Sequence, residues 1–268
     1  MELHHHDYDH TDGAACFDLV MLHGLFGAGS NFRKLSQHLS DEHRVLAADL
    51  RNHGGSPHAP AMDYPDLVAD VADLIYRECA GHADLFGHSM GGKTAMGLAL
   101  TYPDTVERLV VVDIAPVSYG HSDVFCRYIE AMAAVPLASI DSRREADAHL
   151  QAAVPDGRVR AFLLHSLRRD AAGGWCWRIN LDALSANMDR IAAFPFADAA
   201  PFPGPALFVA GGASTYVLPE HHDTIRQFFP AARIEVIPDA GHWVHADRPA
   251  ELEALVRPFL SRRGAAAA

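Results

Sequence analysis

Leu85 to Gly92 read Leu-Phe-Gly-His-Ser-Met-Gly-Gly, with one serine, Ser89, set between glycines. An apolar run precedes it and a helix-like run follows. That is Gly-x-Ser-x-Gly in the strand–turn–helix context in which the pattern carries chemistry. The reason is steric. A sharp turn lifts the hydroxyl above a sheet edge, and flanking glycines let backbone approach without meeting a Cβ. The next amide, that of Met90, then points at a reacting carbonyl. A plain glycine-rich turn would match the same five residues. A hydroxyl is a weak nucleophile and needs a base beside it, so the rest of the chain must supply one.

The chain has eighteen histidines. His242, in Pro-Asp-Ala-Gly-His-Trp just after the last strand-like run, stands where a base is needed. His245, three residues on, is its nearest competitor. The acid is less obvious. The turn Gly211 to Val217 carries Ser214 where a carboxylate would usually stand, and serine cannot stabilise an imidazolium by charge. Glu220 comes later and opens a helix. Asp113, in Val-Val-Val-Asp-Ile-Ala-Pro, interrupts a very apolar strand, and burying an unpaired charge is costly. It lies one strand from Ser89 and is assigned as the acid; a structural capping aspartate is the plainer alternative. His23-Gly24-Leu25-Phe26-Gly27 follows the first apolar run. A backbone amide there, Leu25 first and Phe26 second, is expected to pair with that of Met90 as an oxyanion hole. Phe26, His88, Arg51 and Trp177 are candidates for the substrate pocket. Loop-internal bonding is an equal reading for Arg51, and packing away from substrate is the commoner fate of Trp177.

These residues need elements to hold them. Phe17–Leu22, Arg44–Leu50, Asp84–Phe86, Arg108–Ile114, Ala206–Ala210 and Arg233–Ile237 read as strands, several of them continuously apolar as in a central parallel sheet. Asp66–Cys79 has helical apolar spacing; Lys93–Leu100 and Ala250–Leu260 also read as helices. Strand–helix alternation implies an α/β fold with a parallel sheet covered on both faces. From Val117 to Ala200 no strand is evident. Four helices are expected there, around Val124–Val135, Ser142–Ala153, Arg158–Arg169 and Leu181–Ala193.

The 268 residues carry a formal net charge of -12. That argues against nucleic-acid binding and against anchoring to an anionic membrane, both of which need basic surface. The four cysteines are far apart, with no pairing motif for zinc or disulfides. No run reaches the length of a membrane span, and the N-terminus lacks the apolar stretch of a signal peptide. A cytoplasmic protein is expected. His4, His5, His6 and His10 read as a solvated leader, with an adventitious metal trap as the alternative, and the final alanines read as a frayed tail.

Together the segments HGLFG, DLRNHGGSPH, GHSMGGK, VVDIAP and AGHWVHADRP resemble the α/β-hydrolase superfamily over almost the whole chain. The branch most similar is that of small bacterial esterases related to mitochondrial α/β-hydrolase-domain proteins. There the acid follows the strand after the nucleophile helix, in agreement with Asp113. The segment GGASTYV departs from the GGNSPYV frequent in that branch. The resemblance implies an eight-stranded, mostly parallel sheet, with a core of residues 1–116 and 201–268. It also implies a helical cap, residues 117–200, inserted after the sixth strand. It implies hydrolysis of esters or acyl thioesters of small to medium acyl groups, with a small-molecule substrate, no cofactor and no metal. A carbon–carbon bond hydrolase or lyase, a cofactor-free perhydrolase or acyltransferase, and a catalytically silent receptor are the competing readings.

Overall fold

The computed structural model describes residues 1–9, 17–120 and 122–261. In chain order the strands are β1 (His5–Tyr8), β2 (Phe17–Leu22), β3 (His43–Ala48), β4 (Ala83–His88), β5 (Val106–Val112), β6 (Leu167–Arg169), β7 (Trp175–Trp177), β8 (Ala206–Gly211) and β9 (Ala232–Ile237). The helices are α1 (Arg33–Leu39), α2 (Tyr64–Glu78), α3 (Met90–Thr101), α4 (Ser122–Ala133), α5 (Arg143–Leu150) and α6 (Gly157–Leu164). They continue with α7 (Leu181–Ala186), α8 (Met188–Ala192), α9 (His222–Phe228), α10 (Val244–Asp247) and α11 (Pro249–Leu260).

Seven strands form the main sheet in the order β1-β3-β2-β4-β5-β8-β9. All neighbours run parallel except β1, which is antiparallel to β3. Alternation along each strand divides the apolar side chains between two faces. Val20 and Leu22 of β2 join the cluster beneath α2 and α3, while Leu19 and Met21 join the one beneath α1 and α11. In β5, Leu109 to Val112 are all fully buried, each worth about 1.5–3 kcal/mol on leaving water. α2 starts where the Asp63 carboxylate accepts from the Asp66 amide, with Pro65 in the first turn. Its stripe of Leu67, Val68, Val71, Leu74 and Ile75 is buried. The parallel order brings the ends of β2, β4, β5, β8 and β9 to one rim, where such sheets place their sites.

Several expectations are corrected. Among the described residues the main sheet has seven strands, not eight, and the segment 117–200 follows the fifth. The histidine-rich start is not a solvated leader. Residues 5–8 pair with β3, Leu3 is 2% exposed, and His4 Nδ1 meets Asp49 Oδ2 at 2.9 Å. An open β3 edge offers backbone partners to any chain segment that can extend along it. His10, Cys16 and residues 262–268 lie outside the described residues. The segment 117–200 is not purely helical. The stretch expected as one helix from Arg158 ends at Leu164, and a hairpin of β6 and β7 follows. Strands of three residues leave too short a pattern to read. Leu181–Ala193 is two helices divided at Asn187.

Candidate active site

The turn after β4 is held under strain. Ser89 has φ 54° and ψ -120°, a conformation that costs a side-chain-bearing residue about 1–3 kcal/mol and persists only where its surroundings impose it. Here they do. The Ser89 amide donates to Val112 O at 3.1 Å and its carbonyl accepts from Lys93 N at 3.0 Å. A Cβ on Gly87 would lie 2.3 Å from Gly91 O, and one on Gly91 2.3 Å from Leu22 O. The two glycines therefore allow α3 to pack directly against β4 and β2.

Three side chains from three loops meet above this turn. His242 Nε2 lies 3.0 Å from Ser89 Oγ, and His242 Nδ1 lies 2.8 Å from Asp113 Oδ2. A carboxylate can only accept, so Nδ1 carries the proton and Nε2 presents its lone pair to the serine. Asp113 is fully buried and also has a left-handed backbone, φ 51°. Its Oδ1 accepts from the Gly211 amide at 2.9 Å, and its Oδ2 accepts from Ser214 Oγ at 2.5 Å. The serine noted for its missing charge thus serves the carboxylate instead. Tyr216 stacks flat on His242, with ring centroids 4.0 Å apart at 25°. His245 packs edge-on against Phe32 and His88 instead.

The loop after β2 is pinned by histidines that burial keeps neutral. The Phe26 amide donates to His53 Nε2 at 3.3 Å, and His53 Nδ1 donates to Arg51 O at 2.9 Å. Burial pushes His53 down to about 3. Phe26, expected as a second oxyanion donor, is therefore already engaged. This leaves Leu25, beside Ser89 in the pocket, and Met90, whose amide at the start of α3 has no partner within the helix. His23 bridges Gly24 O at 2.8 Å and the Leu50 amide at 2.9 Å. Asp49 accepts from Gly29 at 2.7 Å and Gly55 at 2.8 Å.

Other pocket candidates fare differently. Arg51 turns to α2, where Asp70 lies at 2.6 Å and Asp66 at 2.9 Å. A 7%-exposed guanidinium needs carboxylates, and these two, four residues apart on one helix face, supply them. Trp177 donates to Met132 O at 3.0 Å within the segment between β5 and β8 and is absent from the walls of the pockets at Ser89. His88 lines the cleft beside His242, but its Nε2 donates to His242 O at 2.8 Å, and burial holds it well below the ordinary imidazole range.

The family described as alpha/beta hydrolase fold matches residues 19–249. The chain belongs to the α/β-hydrolases. A mouse protein named sn-1-specific diacylglycerol lipase ABHD11 is 44% identical over 261 residues, covering 95% of this chain and 84% of the relative. Esterase YbfF of Escherichia coli is 35% identical, covering 91% and 92%. A solved structure titled "Marine microorganism esterase" superposes with a TM-score of 0.92 at 33% identity, covering 97% and 99%. This α/β-hydrolase is accordingly a carboxylic-ester hydrolase. No described helix is long and apolar enough to cross a membrane.

In this hydrolase two pockets share Leu25, Ser89, Phe125 and Tyr216. One runs past His242 toward Phe26, Tyr128, Phe162 and Trp243. The other runs past Met90 toward Lys93, Ile114, Tyr119, Met188 and Ile191. Sequence reasoning missed Tyr216, Tyr119 and Lys93. Lys93 was visible only as the last letter of GHSMGGK, with no sign that it turns inward.

Proposed function

We propose that this ester hydrolase cleaves carboxylic esters or acyl thioesters of small to medium acyl groups through an acyl-serine intermediate. The hydrogen-bonded series Ser89–His242–Asp113, at the meeting point of two apolar pockets, carries the reading. His242 Nε2 takes the Ser89 proton as Oγ attacks the substrate carbonyl. The carbonyl electrons move onto oxygen, and that oxyanion accepts from the amides of Leu25 and Met90. One such donor is worth about 10² to 10³ in rate. Asp113 holds the imidazole tautomer and stabilises the imidazolium. The tetrahedral adduct collapses, and the leaving oxygen or sulfur takes the proton back from His242. Water then enters, loses a proton to Nε2, and releases the acid from Ser89. The segment 117–200 acts as a cap over this site.

The apolar walls suit an acyl chain, and the names of the relatives, a lipase and esterases, support the ester class. A carbon–carbon bond hydrolase is less well supported, because no arginine is among the described residues lining either pocket. The test is Ser89→Ala, assayed on p-nitrophenyl esters and acyl-CoA thioesters of graded length. Turnover is expected to fall by roughly 10⁴-fold or more, with the thermal midpoint kept and fluorophosphonate labelling lost. A Ser89→Ala protein that still hydrolyses the panel overturns the mechanism.

A further inference from the structure

The pocket at Ser89 contains a charge that the reaction above does not use. Lys93, in the first turn of α3, is 2% exposed. Its Nζ donates to Ala192 O and Ala193 O, both at 2.7 Å, at the end of α8. It also lies 4.9 Å from the centre of the Tyr119 ring and 5.7 Å from that of Tyr64. No carboxylate among the described residues pairs with it. An ammonium taken out of water without a counter-ion is expensive, and burial lowers Lys93 to about 7. The facing phenols of Tyr64 and Tyr119 are kept neutral, because burial raises both. Two carbonyls occupy two of the three ammonium donors. The third has no partner in the bonds above, and Lys93 lines a cavity that Ser89 also lines.

The geometry assigns sides to this cavity. A leaving group must reach His242 to collect its proton, so it occupies the pocket lined by His242. The acyl chain then extends the other way, toward Lys93. We propose that Lys93 is a specificity-determining residue whose ammonium binds a carboxylate at the far end of the acyl group. The preferred substrates are then esters or thioesters of short dicarboxylic acids. This rests on the acyl-serine reading.

The test compares monoethyl succinate, glutarate and adipate with ethyl esters of unbranched acids of matching length, followed by pH-stat at pH 6, below the lowered Lys93 value of about 7, so that the ammonium is present. Wild-type enzyme is expected to favour the charged series in kcat/KM by about tenfold to a hundredfold, as a charge-assisted hydrogen bond gives. Lys93→Met is expected to collapse that ratio to about one or below. A wild type without preference, or a Lys93→Met enzyme that keeps the ratio while losing stability, overturns the proposal. The second result would make Lys93 only a tie between α3 and α8. Wild-type protein alone offers a further measurement: glutarate should compete with ethyl butyrate about tenfold better than pentanoate, and equal inhibition overturns the proposal. Absence of Ser89-dependent turnover on every ester removes the acyl-serine reading itself, whereas turnover without preference removes only this inference.

Discussion

Ser214 and His242 share one carboxylate oxygen of Asp113, so a carboxylate reaches the imidazole although the loop after β8 supplies none. Ser214 Oγ and His242 Nδ1 both reach Asp113 Oδ2, at 2.5 and 2.8 Å. Replacing Asp113 with Asn favours the wrong imidazole tautomer, so Asp113→Asn should lower kcat by about 10⁴. Near-wild-type turnover in that variant would remove Asp113 from the acid role. Because position 214 already reaches the same spot, Ser214→Asp added to Asp113→Asn is expected to recover at least about tenfold of the loss. No recovery in single-turnover kinetics would mean that the loop cannot bring a carboxylate to the ring. Asp113 was legible because a charge inside an apolar strand needs a partner. The service of Ser214 was not, since its hydroxyl meets a residue 101 positions away.

At the scale of elements, the tight contact of α3 with the sheet is what aims Ser89. A methyl group on Gly91 would sit 2.3 Å from Leu22 O and 2.5 Å from Leu22 C, both rigid backbone atoms. Gly91→Ala should therefore cost about 2 kcal/mol or more and lower Tm by roughly 4–8 °C, with kcat falling as the turn moves. Gly120→Ala, whose Cβ would meet nothing within 4 Å, serves as control and should leave both unchanged. Equal Tm values for the two variants would mean that α3 can shift freely. Longer elements were legible from apolar runs and helical spacing: Phe17–Leu22 matches β2 residue for residue, and the final helix starts one residue early. β1 and the β6–β7 hairpin were not. Their few residues pair through backbone groups, which carry no side-chain pattern.

The whole molecule buries several histidines in neutral form, and that sets its response to acid. His23, His53 and His88 are each at most 3% exposed, and burial lowers all three, His53 to about 3. An unfolded chain binds protons at these positions from about pH 6.5 downward, while the folded one does not until its lower values are reached. Below pH 6.5 the unfolded state therefore holds more protons, and stability falls with pH. The limit is about 1.4 kcal/mol per pH unit for each group. Lys93 acts with the same sign in a higher window. Between about 7 and its ordinary 10.5 the folded amine is already neutral, so stability there rises with pH. Urea unfolding at pH 5, 6 and 7 should show a steadily falling midpoint toward pH 5. A midpoint that is flat or rises on acidification contradicts neutral burial of these rings.

Residue types and local spacing determined the glycine-flanked turn at Ser89 and the alternation that makes a parallel sheet, and they singled out His242 and the buried Asp113, which the structure brings together with Ser89. Each of these follows from sterics or charge acting over a few neighbouring residues. Only tertiary structure decided that Arg51 serves α2, that His53 takes the Phe26 amide, and that Lys93 faces the cavity at Ser89. Those outcomes depend on which elements are brought alongside one another, and a donor's partner in a folded chain is chosen by distance in space, not by position along the sequence.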